Sequence, residues 1–327
     1  MQIVGKEVGP IGYGLMGLTW RPQPQSEEES FKAMKASLEV GCNFWNAGEF
    51  YGTEEFNSLH LINRYFTKYP EDADNVVLSI KGGLYNMAPD GSPENIKRSV
   101  ENCLKLLDGK KSIDIFECAR VDKKTPIETT MAALNEYVKV GKIGGIGLSE
   151  VGAETLKKAV KVAKIAAVEV ELSLWALEPL NNGVASVCAE NNIPIVAYSP
   201  IGRGVLTGEI QKPEDIPEGD FRRMMPRFQA PLFEKNIVLV HKLQEIAKEK
   251  GYTPAQLAIS WVVSLSKKNG NPEIIPIPGA TKVDRIYENA KDVELSSEVA
   301  ATIDSMLKEF EVVGPRYGGS YEEMLEG

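Results

Sequence analysis

A chain of 327 residues with 43% hydrophobic content can bury a full core, and its length suits either two ordinary domains or one α/β barrel. Its formal net charge of −9 argues against a nucleic-acid surface, which needs a basic patch to neutralise phosphates. No apolar run approaches the roughly 18–20 residues that span a bilayer, and the start MQIVGKE lacks the basic and apolar regions of a signal peptide, so the expectation is a soluble, cytoplasmic protein without a membrane or nucleic-acid partner.

Strand-like apolar runs recur at residues 8–14, 42–46, 76–81, 113–119, 143–149, 167–172, 193–199 and 274–278. Between them lie amphipathic stretches at residues 27–40, 93–107, 127–140, 153–164 and 254–265, with apolar positions at steps of three and four. Alternating strand and helix patterns indicate a parallel sheet with helical crossovers, and eight such runs indicate one (β/α)8 TIM barrel, an α/β fold, occupying residues 1–327 as a single domain. The acidic Ser26-Glu27-Glu28-Glu29 suits the first turn of a helix, where carboxylates meet the positive end of the dipole.

Two segments break the repeat. Residues 202–231 are rich in Gly, Pro and charge and lead into an additional helix around 233–250, and the tail after residue 310 contains the glycine-rich, aromatic Val313-Gly314-Pro315-Arg316-Tyr317-Gly318-Gly319. Long insertions in barrels belong to the catalytic face, so both are candidate substrate loops.

Four cysteines (Cys42, Cys103, Cys118 and Cys188) have no CxxC spacing and read as buried thiols rather than zinc ligands or disulfides. The only histidines, His60 and His241, fall in helical stretches, which disfavours Ser-His-Asp, Cys-His and His-rich metal chemistry; no metal is expected. Residues 12–17 satisfy G-x-G-x-x-G, but Leu18-Thr19-Trp20-Arg21-Pro22-Gln23-Pro24 cannot form the long helix that a dinucleotide loop requires.

Chemistry concentrates at strand ends. Tyr51 follows the second run and Lys81 ends the third, so a phenol and an ammonium fall at neighbouring strand ends; the ammonium is expected to draw the phenol down from its reference value near ~10. Ala197-Tyr198-Ser199-Pro200-Ile201-Gly202-Arg203-Gly204 ends a strand with an aromatic ring suited to stacking and a loop whose backbone could approach a pyrophosphate. Residues 275–289 end the last strand, bring Lys282 and Arg285 to a helix start, and run on to Glu288 and Asn289, a natural phosphate site.

In this order, the glycine-rich start, Asn46-Ala47-Gly48-Glu49-Phe50-Tyr51-Gly52, Lys81-Gly82, residues 114–122, Gly147-Leu148-Ser149, residues 197–208 and residues 276–289 resemble the aldo-keto reductase family over nearly the whole chain. The nearest subgroup, by residues 46–52 and 116–122, is the fungal pyridoxal reductases. The resemblance implies an NADPH-dependent enzyme that reduces a small-molecule aldehyde, foremost pyridoxal to pyridoxine; the expected state is a monomer, with a weak oligomer as the alternative. The alternatives are a general aldehyde or ketone reductase, or a nucleotide-sensing subunit with little turnover. It assigns Tyr51 as the acid, Lys81 as its tuning cation, and Asn46 and Ala119 to the positions of the family's catalytic Asp and His. For the cofactor NADPH/NADP+ it assigns Gly14, Leu15, Met16, Ser149, Glu150, Glu169, Tyr198, Ser199, Pro200, Ile201, Gly202, Gly279, Lys282, Arg285, Glu288 and Asn289, with Lys282 and Arg285 on the 2′-phosphate. Trp20, Glu49 and Arg120 fall to the substrate.

The departures have physical consequences. Asn46 cannot hold Lys81 protonated as an aspartate would, so either desolvation weakens Lys81 or the ammonium acts on Tyr51 with less cancellation. Strand alternation puts Glu117 on the face of Ala119, one layer below, where it could supply the missing charge. Ala119 removes a donor to the substrate carbonyl, which a ring hydroxyl beside the aldehyde could partly replace.

Overall fold

Period-two alternation along eight strands builds a parallel barrel whose inner face changes from apolar at the bottom to charged at the mouth. The computed structural model describes residues 1–327 except position 292. The barrel strands are β1 (Tyr13–Gly14), β2 (Phe44–Gly48), β3 (Val77–Gly82), β4 (Ile113–Cys118), β5 (Ile143–Ser149), β6 (Ile165–Glu171), β7 (Ile195–Tyr198) and β8 (Ile274–Pro276), each parallel to the next. The β8–β1 seam is drawn together by Gly12 N–H donating to Pro276 O at 2.9 Å and by Gly14 N–H donating to Pro278 O at 3.4 Å. A Cβ on Gly12 would stand 2.8 Å from Phe44 O, so the G-x-G-x-x-G match begins with a glycine required for barrel closure. Only the single-turn helix Met16–Thr19 follows.

The crossover helices are α1 (Glu27–Glu39), α2 (Ser58–Lys68), α3 (Pro93–Leu107), α4 (Ile127–Lys139), α5 (Ala153–Ala159), α6 (Val184–Glu190), α7 (Pro254–Ser264) and α8 (Val283–Ala290). Their starts are written locally. Ser26 and Ser92 accept from the backbone N–H three residues on, and Thr253 and Gln256 form a capping box. The helix at α5 is shorter than its apolar pattern predicts, because β6 begins at Ile165 and the connecting turn takes the intervening residues. Helices Leu232–Lys250 and Ser297–Glu309 are additions to the repeat.

Outward-facing Trp45, Ile80, Phe116, Leu148 and Val168 pack in the core beneath the helices. Inside, Phe44, Val77, Ile115, Ala167, Val196 and Ile275 form an apolar lower layer. An N-terminal hairpin (Gln2–Ile3 with Lys6–Glu7), which the sequence patterns did not indicate, caps that layer with Ile3 and Val8. Two to four residues further along the same inner faces come Asn46, Lys81, Glu117 and Glu169, and the register sets Lys81 directly beside Glu117. Among the described residues no helix is long and apolar enough to cross a membrane. All four cysteines are free and buried.

Candidate active site

Lys81 projects into the barrel mouth and is only 4% exposed, so its charge has to be matched inside the protein. Its ammonium donates to Asn46 Oδ1 at 2.8 Å, lies 3.2 Å from Glu117 Oε1 and pairs closely with Glu169. The Asn46 amide donates in turn to Glu117 Oε1 at 3.0 Å and to Glu169 Oε2 at 2.7 Å. An aspartate at position 46 would place a third carboxylate here, whereas the amide accepts from the lysine and donates to both acids. The negative charge therefore comes from β4 and β6 rather than β2. Gly147 leaves room for it, since a Cβ there would stand 2.8 Å from Glu117 Cβ.

Burial opposes the charge on Lys81, but Glu117 and Glu169 outweigh it and hold the ammonium well above the ordinary lysine range. Lys81 therefore keeps its charge without the aspartate, but less cancellation of its field at Tyr51 does not follow, because Glu117 and Glu169 both oppose it there. Burial, then repulsion from Glu117, pushes the Glu169 carboxyl well above its ordinary range despite the attraction of Lys81.

Tyr51 sits on the loop after β2, and Thr19 Oγ1 donates to its carbonyl at 2.7 Å. Its ring lies against Gly48, where a Cβ would approach to 2.9 Å, and beneath Trp20 at 5.6 Å between centroids. Lys81 Nζ is 5.8 Å from the ring centroid. The phenol is nevertheless not drawn down as expected. Burial raises it, Lys81 opposes, Glu169 and Glu117 add to the rise, and the result is about 12. The two carboxylates that keep Lys81 charged also cancel much of its field at Tyr51. At neutral pH the phenol is a proton donor.

Ala119 lies just beyond β4, its N–H donating to Gly82 O at 2.9 Å, and its buried methyl offers no donor. Arg120 follows at the mouth, and Trp20 is 44% exposed over Tyr51. Glu49 is placed elsewhere than the substrate assignment requires. Its carboxylate accepts from Arg98 Nη1 at 2.9 Å, Ser99 Oγ at 2.5 Å and Asn102 Nδ2 at 2.8 Å, which turns it onto α3.

A second ionic cluster closes the mouth from the tail. Arg316 donates to Glu150 Oε2 at 2.6 Å and Oε1 at 3.1 Å, and reaches Glu171 Oε2 at 3.4 Å. Arg203 binds both oxygens of Glu171 at 3.1 and 2.8 Å, and Tyr317 Oη meets Tyr198 Oη at 3.0 Å. Burial would raise the Glu150 carboxyl, but Arg316 holds it below the ordinary range. Sequence reasoning placed the tail near the substrate without finding the roles of Arg316 and Glu171; the signal available was two acids, Glu150 and Glu171, at the ends of buried strands. Glu150 and Ser199, just after β5 and β7, each adopt a positive φ of 52°, and Arg203, in the turn Gly202–Thr207, one of 57°, a costly backbone for these residue types.

The cofactor candidates separate into available and committed groups. Ser149 Oγ is buried without a hydrogen-bond partner among the described residues, an open position for a polar ligand group. Glu150 and Glu169, assigned with it, are engaged by Arg316 and by Lys81 with Asn46. Gly14 and Gly279 bridge β1 to the strand end after β8, and Leu15 is buried beside Met16 with its N–H donating to Asn46 O at 2.9 Å. Tyr198, Ser199, Pro200, Ile201 and Gly202 form the loop leaving β7, with Gly202 at φ 57°. Lys282 is exposed at the N-cap of α8 and has no ion-pair partner among the described residues, whereas Arg285 is held by Glu288 at 2.7 Å and by Glu209. Asn289 is buried on α8. The open Ser149 hydroxyl, the bare Gly14 and Gly279 backbone and the free Lys282 fit a phosphate-bearing nicotinamide cofactor; Arg285 fits only if its carboxylates release it.

The model of the aldo/keto reductase family matches residues 10–308. "Probable pyridoxal reductase 2" of Schizosaccharomyces pombe is 42% identical, with 98% of each chain covered. A Saccharomyces cerevisiae relative whose name also includes pyridoxal reductase is 39% identical, covering 94% of this chain and 95% of its own. The solved glycerol dehydrogenase of Gluconobacter oxydans shares the fold with a TM-score of 0.82 at 23% identity, covering 98% of both chains. The chain thus belongs to the aldo/keto reductase family, whose members use nicotinamide cofactors, and is an oxidoreductase acting on carbonyl and alcohol groups.

Proposed function

We propose that this protein uses NADPH to reduce an aldehyde to an alcohol, with pyridoxal to pyridoxine as the leading reaction. The observation that carries the reading is a buried Tyr51 phenol, protonated at neutral pH, beside a Lys81 ammonium that two carboxylates keep charged. The pyridoxal reductase names of two relatives and the NADP(+) in the name of a third, aldo-keto reductase yakc of Schizosaccharomyces pombe at 38% identity, support substrate and cofactor. When bound, NADPH would supply the hydride for the carbonyl carbon. Tyr51 gives its proton to the carbonyl oxygen, Lys81 stabilises the phenolate left behind, and a solvent proton restores the phenol. Ser149 would hold the cofactor's amide end, and Lys282 would meet the 2′-phosphate.

Reduction of pyridoxal with NADPH deuterated at the transferable position should place deuterium on the new hydroxymethyl carbon; unlabelled product, or none, would contradict the reading. Lys282→Ala should raise the KM for NADPH about tenfold through loss of a charge-assisted contact and leave the KM for NADH unchanged. A second reading, a nucleotide-sensing subunit, draws on the donorless Ala119. It requires tight NADPH binding with no turnover of any carbonyl.

A further inference from the structure

Four cations gather at the barrel mouth, and three have carboxylate partners: Lys81 with Glu117 and Glu169, Arg203 with Glu171, and Arg316 with Glu150 and Glu171. Arg120 has none among the described residues. Its Nη1 donates to Ala119 O at 2.5 Å, Nη2 reaches Tyr317 Oη only at 3.5 Å, and the guanidinium carbon lies 5.7 Å from the Tyr317 ring centroid. A guanidinium carries five N–H donors, so most of its capacity is unspent. It stands next to Ala119, where the site lacks a donor for the substrate, and at the Tyr317 hydroxyl that meets Tyr198. Burial works against its charge, but the surrounding Tyr198, Tyr317 and Glu150 favour the cation.

We propose that Arg120 determines specificity by binding an anionic oxygen carried on the carbon next to the one bearing the aldehyde, so that 2-hydroxyaryl aldehydes are the preferred substrate class. The inference deepens the reductase reading above and rests on it for the reaction. A phenolate ortho to the carbonyl would otherwise repel the negative charge that develops on the carbonyl oxygen. Pairing with Arg120 removes that repulsion and fixes the ring, so the substrate brings its own link to the protein where Ala119 provides none.

The test uses unreactive carbonyl mimics, 2-hydroxybenzamide, 4-hydroxybenzamide and benzamide, titrated calorimetrically into wild type, Arg120→Lys and Arg120→Gln at pH values below and above the phenol's ionisation. Wild type should bind 2-hydroxybenzamide about tenfold more tightly than benzamide once the phenol is ionised, and the preference should fade below that pH. Arg120→Gln should abolish the preference and Arg120→Lys should restore part of it, with benzamide affinity little changed in either. Equal losses for all three amides, or an undiminished preference in Arg120→Gln, would make Arg120 a tail-holding residue and overturn the proposal. If Arg120→Gln does not fold, the wild-type pH series decides alone, because a preference that does not grow with ionisation also overturns it. Failure of every aldehyde to oxidise NADPH would sink the reductase reading while leaving this binding result intact.

Discussion

Tyr51→Phe is expected to lower turnover about 10²–10⁴-fold, the usual contribution of a positioned general acid, while NADPH affinity measured by fluorescence stays within about twofold of wild type. The substitution removes only a hydroxyl from a ring seated between Gly48 and Trp20, so the packing that shapes the mouth is retained. Because the phenol is raised to about 12, wild-type kcat/KM for reduction should not fall through Tyr51 ionisation until strongly basic pH. A basic limb near neutrality would assign the proton transfer to another group.

The second large effect belongs to the acids around Lys81. Glu117→Gln or Glu169→Gln alone leaves one carboxylate on the ammonium and removes the repulsion between the two acids, so each should unfold within about 1 kcal/mol of wild type. The double variant leaves a buried ammonium with only Asn46 as acceptor and should lose about 3–5 kcal/mol in denaturant unfolding. Its activity loss should likewise exceed the product of the two single losses, because either acid alone can keep Lys81 charged. Additive effects would mean that the carboxylates act independently. The Glu169 carboxyl lies above its ordinary 4.5, so the stability it contributes is fully present below that pH and is lost as pH rises through the folded value. Unfolding of Glu169→Gln should therefore depend less on pH than wild type over that window.

Much of this architecture is legible in the chain. Short apolar runs marked all eight barrel strands because both faces of the strands are buried, and the helix starts are marked by Ser26, Ser92 and Thr253. Residues 46–52 and Lys81 brought Tyr51 and its cation together, and alternation along β4 led to Glu117. The second carboxylate was not assigned to Lys81. Glu169 lies 88 residues from its partner and is joined to it only by closure of the barrel, which no local pattern encodes. The direction of the Tyr51 shift was missed for the same reason, since the ammonium's effect depends on two acids brought in from other strands. Glu49 shows a different limit: it stands two residues before Tyr51, but its side chain finds three donors on α3. Arg316 lay in a glycine-rich tail without periodicity, and its acids became visible only once β5 and β6 were side by side.

Pyridoxal reduction by this barrel is tested most directly by an initial-rate comparison of pyridoxal with simple aldehydes, using NADPH and NADH, in the wild-type protein. The highest kcat/KM is expected for pyridoxal with NADPH, with a marked fall when either the ring hydroxyl or the cofactor's 2′-phosphate is absent. Tight NADPH binding with no oxidation on any carbonyl would overturn the reductase reading.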